Sequence, residues 1–203
     1  MPVGKLVGAR VKRREDPRLI RGLGRYVDDV RLPNTLYVTI LRSPHAHAKI
    51  KGIHLKEALR HPGIVAVVTG EEIRDKVGTV PVATKNPTLR VPPHHVLAVE
   101  KVCFAGEGVV AVVAEDRYTA QDGMDLIQVD FDPLPVVTDA EKGLTPASPV
   151  IHPQWPDNVA FHWRQQQGNI DKAFKDAHRI VHQRIVHQRL APIALEPRGV
   201  LAQ

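Results

Sequence analysis

Histidine is the residue type that first suggests chemistry in this chain, which holds 11 of them among 203 residues. His45 and His47 alternate, so on an extended strand they would share one face. His94 and His95 adjoin each other in a proline-punctuated stretch, and His182 and His187 lie five apart, on opposite faces of any strand. No pair has the spacing of a helical zinc site, where two histidines four apart carry a glutamate with them. Polar histidines in a turn, bonded to backbone, explain His45 and His47 better than a pair of metal ligands does.

The other reactive types are equally restrained. Cys103 is the single cysteine. It excludes an intrachain disulfide, a zinc site with several thiolates and an iron–sulfur cluster held by this chain's cysteines alone. Its neighbours in Val102-Cys103-Phe104 are apolar, which suits an inert buried thiol. Gly22-Leu23-Gly24 neither follows a strand nor opens a long helix, so it is no dinucleotide fingerprint. Gly106-Glu107-Gly108 lacks the lysine and hydroxyl of a phosphate loop and reads as a turn before the next strand. The pairs Asp28-Asp29 and Glu71-Glu72 are adjacent and need not straddle anything. Ser43 and Ser148 lack the strand–elbow–helix setting of a hydrolase nucleophile. No residue is assigned as catalytic, cofactor-binding or metal-binding.

The elements around these residues alternate between strand and short helix. Residues 1–34 are mostly irregular. Strands are expected at Leu36–Leu41, Lys49–Ile53, Ile64–Thr69 and Val109–Ala114, and at Leu126–Phe131, where apolar and polar residues alternate. One or two more are expected within Val96–Phe104. A short helix fits His54–Arg60. Thr69 or Gly70 should cap a turn beginning at Glu71, and Asp116 should cap a helix to about Asp125, anchored by Tyr118, Ala120 and Met124 and weakened by Gly123. Residues 75–95 form a long loop with four prolines, the kind that binds or docks. Gly168–Ala177 is a helix with its opening turn. Residues 179–190, with the echo Arg179-Ile-Val-His-Gln and Arg184-Ile-Val-His-Gln, read as a strand, and the last residues as a strand cut short. Together these make an α/β domain.

Bulk properties narrow the setting. Net charge is +6, with much of the excess early: Lys5, Arg10, Lys12, Arg13, Arg14, Arg18, Arg21 and Arg25. Such an arm suits an acidic partner surface or an anionic ligand. Aromatic residues are only 4% of the chain, and no recognition helix or zinc finger is present, so nucleic acid is not the expected partner. No apolar run reaches the roughly 18 residues of a membrane span, and no signal peptide opens the chain, so the cytoplasm is the expected location.

Several motifs occur in one order along nearly the whole chain. They are Gly22-Leu-Gly-Arg-Tyr-Val-Asp-Asp29, Leu41-Arg-Ser-Pro-His-Ala-His-Ala-Lys-Ile50, Pro62-Gly-Ile-Val-Ala-Val-Val-Thr-Gly70 and Val102-Cys-Phe-Ala-Gly-Glu-Gly-Val109. Val129-Asp-Phe-Asp-Pro-Leu-Pro-Val-Val137, Gly168-Asn-Ile-Asp-Lys-Ala-Phe174 and Leu195-Glu-Pro-Arg-Gly199 follow. In this order they resemble the front of the large subunit of the xanthine dehydrogenase, aldehyde oxidase and aerobic carbon monoxide dehydrogenase family. The ending from Gln188 to Arg198 looks closer to carbon monoxide dehydrogenase-like large chains.

The resemblance implies an α/β hammerhead domain over residues 18–134. A basic arm precedes it at 1–17. A crossover at 135–160 and an incomplete start of the molybdopterin-binding domain at 161–203 follow it. It implies a complete large subunit that holds molybdenum on molybdopterin cytosine dinucleotide and oxidises an aldehyde, a heteroaromatic ring or carbon monoxide. Expected partners are the remaining large-subunit region or chain, a medium subunit with FAD and a small subunit with two iron–sulfur clusters of the 2Fe–2S type. The start at Met1 fits a separately encoded subunit. The family's pterin-holding segments, the loop beside molybdenum and the glutamate base have no matching position here, so this chain alone is expected to bind no cofactor and to be inactive. Glycine stands at Gly108 where the family usually has proline, and at Gly123, and is expected to loosen both places. Two other readings stay open: a subunit piece that assembles with a second chain carrying the cofactor site, and an independent anion-binding module.

Overall fold

The computed structural model describes residues 8–191, 193, 194 and 196–203. Lys5 of the basic arm, and Leu195 of the last motif, lie outside the described residues. The chain divides into two units, one of residues 1–33 with 177–203 and one of residues 34–176.

In the first unit, α1 (Asp16–Leu19) is a single turn with proline in its first turn, where the missing N–H costs nothing. Val27–Asp29 is a 3-10 turn, closed by the Tyr26 N–H donating to Asp29 Oδ2 at 2.9 Å. The strand expected at 179–190 does not form, and neither does the terminal one. The described residues from 177 onward carry no helix or strand. A strand needs a neighbour for its backbone groups, and none pairs with this segment.

The second unit is built on two antiparallel sheets. Its strands are β1 (Tyr37–Arg42), β2 (Ala48–His54), β3 (Ile64–Thr69), β4 (Lys101–Val102), β5 (Gly108–Ala114) and β6 (Gln128–Pro133). One sheet runs β1-β5-β3 and the other β4-β2-β6. The valine-rich β5 is central to the first sheet. Val112 sits between Thr39 and Val67, and Val110 between Leu41 and Thr69. The side chains on this face turn inward, and Val109, Val110, Val112 and Val102 are fully buried. Burying each contributes about 1.5–3 kcal/mol.

Short helices pack on the first sheet. Thr69 caps α2 (Gly70–Ile73), its N–H donating to Glu72 Oε2 at 2.8 Å. Asp116 caps α3 (Arg117–Asp125), accepting from the N–H groups of Tyr118 and Thr119 at 2.8 and 3.0 Å. Ala120 and Gly123 of α3 are buried and Met124 packs on the core, but Tyr118 is 80% exposed. Tyr118 precedes Ala120 by two residues, about 200° around the helix, so both cannot face inward. Gly123 does not merely loosen the helix: a Cβ there would lie 2.5 Å from Ile64 Cδ1, so its bareness lets α3 approach β3. At Gly108 a Cβ would come within 3.1 Å of Ile40 Cγ2, which leaves that position tight rather than loose.

Other expectations shift. The helix at 54–60 shrinks to a 3-10 turn at Ala58–Arg60, because His54 stays paired in β2 opposite Gln128. Within 96–104 only the two residues of β4 pair. Within residues 135–160 lies α4 (Ala140–Gly143), capped by Asp139, and α5 spans Ile170–Asp176.

Candidate functional site

The bend between β1 and β2 is where the sequence places its histidines and a serine, and it is knitted to the turn before β5. The buried Ser43 donates its N–H to the Glu107 carbonyl at 2.9 Å, and its carbonyl accepts from Gly106 N at 2.8 Å. Ser43 Oγ donates to the His45 carbonyl and accepts from His45 N, both at 3.0 Å. This hydroxyl is therefore consumed in holding a turn. Arg42 Nη1 donates to the Gly106 carbonyl at 2.8 Å. Gly106 itself has φ +88°, which favours glycine.

His45 and His47 do not share a ligand position. His45 packs on the Phe131 ring at 5.1 Å. His47 is buried, with Nδ1 donating to the Pro135 carbonyl at 2.8 Å, while its own carbonyl accepts from Leu134 N at 2.9 Å. His47 Nε2 is buried without a partner. His94 meets Phe104 edge to face at 5.8 Å. His182 and His187 are exposed in irregular backbone. Among the described residues no three His, Cys, Asp or Glu side chains converge as a metal site.

Glu107 is the residue that sequence reading passed over. Its side chain is buried, and its carboxylate accepts from the Cys103 N–H at 2.6 Å, locking the turn from residue 103 to 107. An acid set between two glycines amid apolar residues was the available signal. Cys103 is half-buried, and burial pushes its thiol up. Lys101 opposes that rise and Glu107 adds to it. A thiol held protonated is a poor nucleophile.

The remaining candidates have local roles. Asp29 closes its own 3-10 turn. Glu72 completes the α2 cap, and Glu71 pairs with Arg74 at 2.9 Å. Ser148 Oγ accepts from Asn158 Nδ2 at 3.3 Å. Arg90 grips Asp157, whose carboxyl lies below the usual carboxylate range, first because Val159 N–H donates to it and then because of Arg90. One cavity, of about 410 Å³, is an open polar crevice lined by Arg164 to Gln166 and Gly168 to Asp171. A second, of about 350 Å³, lies among Arg74, His95, Glu100, Lys101 and Glu107. Neither gathers groups poised for acid–base or nucleophilic work. No helix among the described residues is long and apolar enough to cross a membrane.

Comparison with known proteins gives this scaffold its relatives. Residues 21–135 match the aldehyde oxidase and xanthine dehydrogenase a/b hammerhead domain, and residues 151–203 match the molybdopterin cofactor-binding domain. The chain is 35% identical over 202 residues to the 6-hydroxypseudooxynicotine dehydrogenase complex subunit gamma of Paenarthrobacter nicotinovorans, covering 97% of this chain and 25% of that one. It is 41% identical over 154 residues to the carbon monoxide dehydrogenase large chain of Afipia carboxidovorans, covering 75% of this chain and 18% of that one. The crystal structure of quinoline 2-oxidoreductase from Pseudomonas putida 86 superposes with a TM-score of 0.68 at 35% identity, over 74% of this chain and 19% of that one. The chain thus spans a quarter or less of the length of these relatives.

The match over residues 151–203 implies a molybdenum-bearing pterin as the cofactor of such relatives. The described residues from 177 to 203 are exposed and irregular, and no set of side chains among the described residues converges on a metal-sized point. No residue of the chain is assigned to that group. The chain belongs to the aldehyde oxidase and xanthine dehydrogenase family and carries the α/β hammerhead domain with part of the molybdopterin cofactor-binding domain.

Proposed function

We propose that this chain does the structural and assembly work of a molybdenum hydroxylase large subunit of the carbon monoxide dehydrogenase-like kind. The whole enzyme would oxidise an aldehyde, a heteroaromatic ring or carbon monoxide. Its cofactor would be molybdopterin cytosine dinucleotide, held by the remaining large-subunit region. Electrons would leave through a small subunit with two iron–sulfur clusters to a medium subunit with FAD.

One observation carries the assembly reading. The segment matched to the cofactor-binding domain holds a series of apolar side chains in water: Val181 at 76% exposure, Ile185 at 73%, Leu190 at 85%, Ile193 at 91% and Val200 at 90%. Single exposed apolar residues are ordinary, but a run of them within some 20 residues marks a surface awaiting cover. The relatives carry about three further quarters of chain beyond what is matched here, and that region is the occupant this reading assigns. The same observation supports assembly with a second chain bearing the cofactor site. It does not support an anion-binding module, which would use the basic arm.

The test is assembly. The chain is co-expressed with a carbon monoxide dehydrogenase large chain lacking its own first quarter. A stable complex is expected, with the amides of residues 180–201 slowed in hydrogen exchange. Replacing Ile185 and Leu190 together by aspartate should abolish it. A monomer whose segment exchanges freely in the presence of that partner would overturn the reading.

A further inference from the structure

The two faces of the first sheet are unlike each other. Residues paired across strands share a face, and side chains alternate along each strand. One face carries Thr39, Val112 and Val67 in one row and Leu41, Val110 and Thr69 in the next. α3 lies on that face, since a Cβ at Gly123 would meet both Ile64 and Val112. The opposite face carries Val38, Val113 and Ala66 in one row and Ile40, Ala111 and Val68 in the next. Every one of these is apolar. Val38 is 60% exposed and Ile40 36%, and the others are half-buried. None of them belongs to the buried core or packs against it.

An antiparallel sheet with one face in water alternates apolar and polar residues. The second sheet does so: on its outer side Lys51 pairs with Asp132 at 3.5 Å and His54 with Asp130 at 2.7 Å, all of them exposed. The central strand β5, by contrast, is apolar on both faces. The size of the uncovered face decides what fits it. Three strands about 4.8 Å apart and two rows about 7 Å apart make a footprint about 15 Å each way. A stable dimer needs about 800 Å² from each partner, several times more than this. One α-helix is about 10 Å wide and rises about 1.5 Å per residue, so about three turns cover the face. Ala66 and Ala111 are diagonal neighbours, and their small side chains leave a dip beside Val113 and Ile40 for that helix to fill. A contact of this size holds only a helix that other contacts already bring there.

We infer that the face of the first sheet bearing Val38 and Ile40 is the seat of one amphipathic helix, about three turns long, from the remaining large-subunit region. The inference rests on the assembly reading, which brings that region to the chain through residues 180–201. The seated helix turns aliphatic side chains toward the sheet, because the face offers no side chain able to hydrogen-bond, and polar ones away from it.

The test uses the complex of the full chain with a co-expressed carbon monoxide dehydrogenase large chain lacking its own first quarter. Val38→Cys is labelled with a maleimide in the free chain and in the complex, and the rate of the unaltered chain, which carries Cys103, is subtracted. Labelling should slow severalfold in the complex, while Lys51→Cys, on the outer side of the second sheet, should keep its rate. Ile40→Cys serves the same purpose if the Val38 variant does not fold. A photo-crosslinker attached at the introduced thiol should capture one short helical stretch of the co-expressed chain. A complex in which that thiol labels as fast as in the free chain, or crosslinks to a second copy of this chain, would overturn the inference and leave the assembly reading standing. Absence of any complex would overturn both.

Discussion

Gly70 makes the sharpest demand on packing in the hammerhead unit, and replacing it with alanine should show this. Gly70 is the first residue of α2 and is buried. A Cβ on its backbone would lie 2.3 Å from the Ala98 carbonyl oxygen, 2.7 Å from the Leu97 oxygen and 2.8 Å from the Ala98 carbonyl carbon. These are backbone atoms. Ala98 N donates to the Gly108 carbonyl at 2.8 Å, so the segment cannot recede without pulling on the start of β5. Overpacking usually costs about 1–3 kcal/mol, and the upper end applies where no side chain can rotate away. Gly123→Ala is the internal control. Its added Cβ meets the far end of a side chain, Ile64 Cδ1, which can rotate. Alanine also gains about 1 kcal/mol of helix propensity over glycine. That variant should fall within about 1 kcal/mol of the unaltered chain. For Gly70→Ala the melting temperature should drop by about 6–12 °C, taking about 2–4 °C per kcal/mol at this size. Thermal and urea unfolding followed by far-UV circular dichroism measures both. Equal losses in the two variants, or none at Gly70, would refute the distinction between backbone and side-chain obstacles.

The turn before β5 and the cap of α3 offer two more tests. Glu107→Ala should cost about 1.5–3 kcal/mol by leaving the Cys103 N–H without its charged acceptor, whereas Glu107→Gln, which keeps an acceptor oxygen, should lose clearly less in urea unfolding. The Asp116 carboxyl is held below its ordinary value, first by the Thr119 hydroxyl and then by the Thr119 and Tyr118 N–H groups. Its contribution is therefore full above about pH 3.9 and is lost as pH falls through its lower folded value, so Asp116→Asn should flatten stability in that acid window, as pH-dependent unfolding would show.

The hammerhead unit was legible because its signals are local. The valine run of β5 announces a buried strand, and Asp116 announces a helix start wherever the helix later packs. Periodicity also showed that α3 has an inner face, but not which face. Tyr118 was counted as an anchor beside Ala120, and the geometry permits only one of them inside. What failed depended on partners distant in the chain. Residues 179–190 have the composition of a strand, yet a strand exists only when something pairs with it. His45 and His47, by contrast, were legible as turn histidines: His45 is held by Ser43 Oγ, and His47 Nδ1 donates to the Pro135 carbonyl. Glu107 stands out as an acid between two glycines, but its partner, a single backbone N–H, leaves no mark in the sequence. The motif order was legible at a higher level still, since it pointed to the family that the comparisons show.

Purifying the 203-residue chain alone, then measuring its molybdenum content beside its oxidation of aldehyde and heteroaromatic substrates, tests the scaffold role most directly. The scaffold role predicts substoichiometric molybdenum and no turnover, in a chain that nonetheless unfolds cooperatively. One molybdenum per chain together with sustained turnover would contradict it.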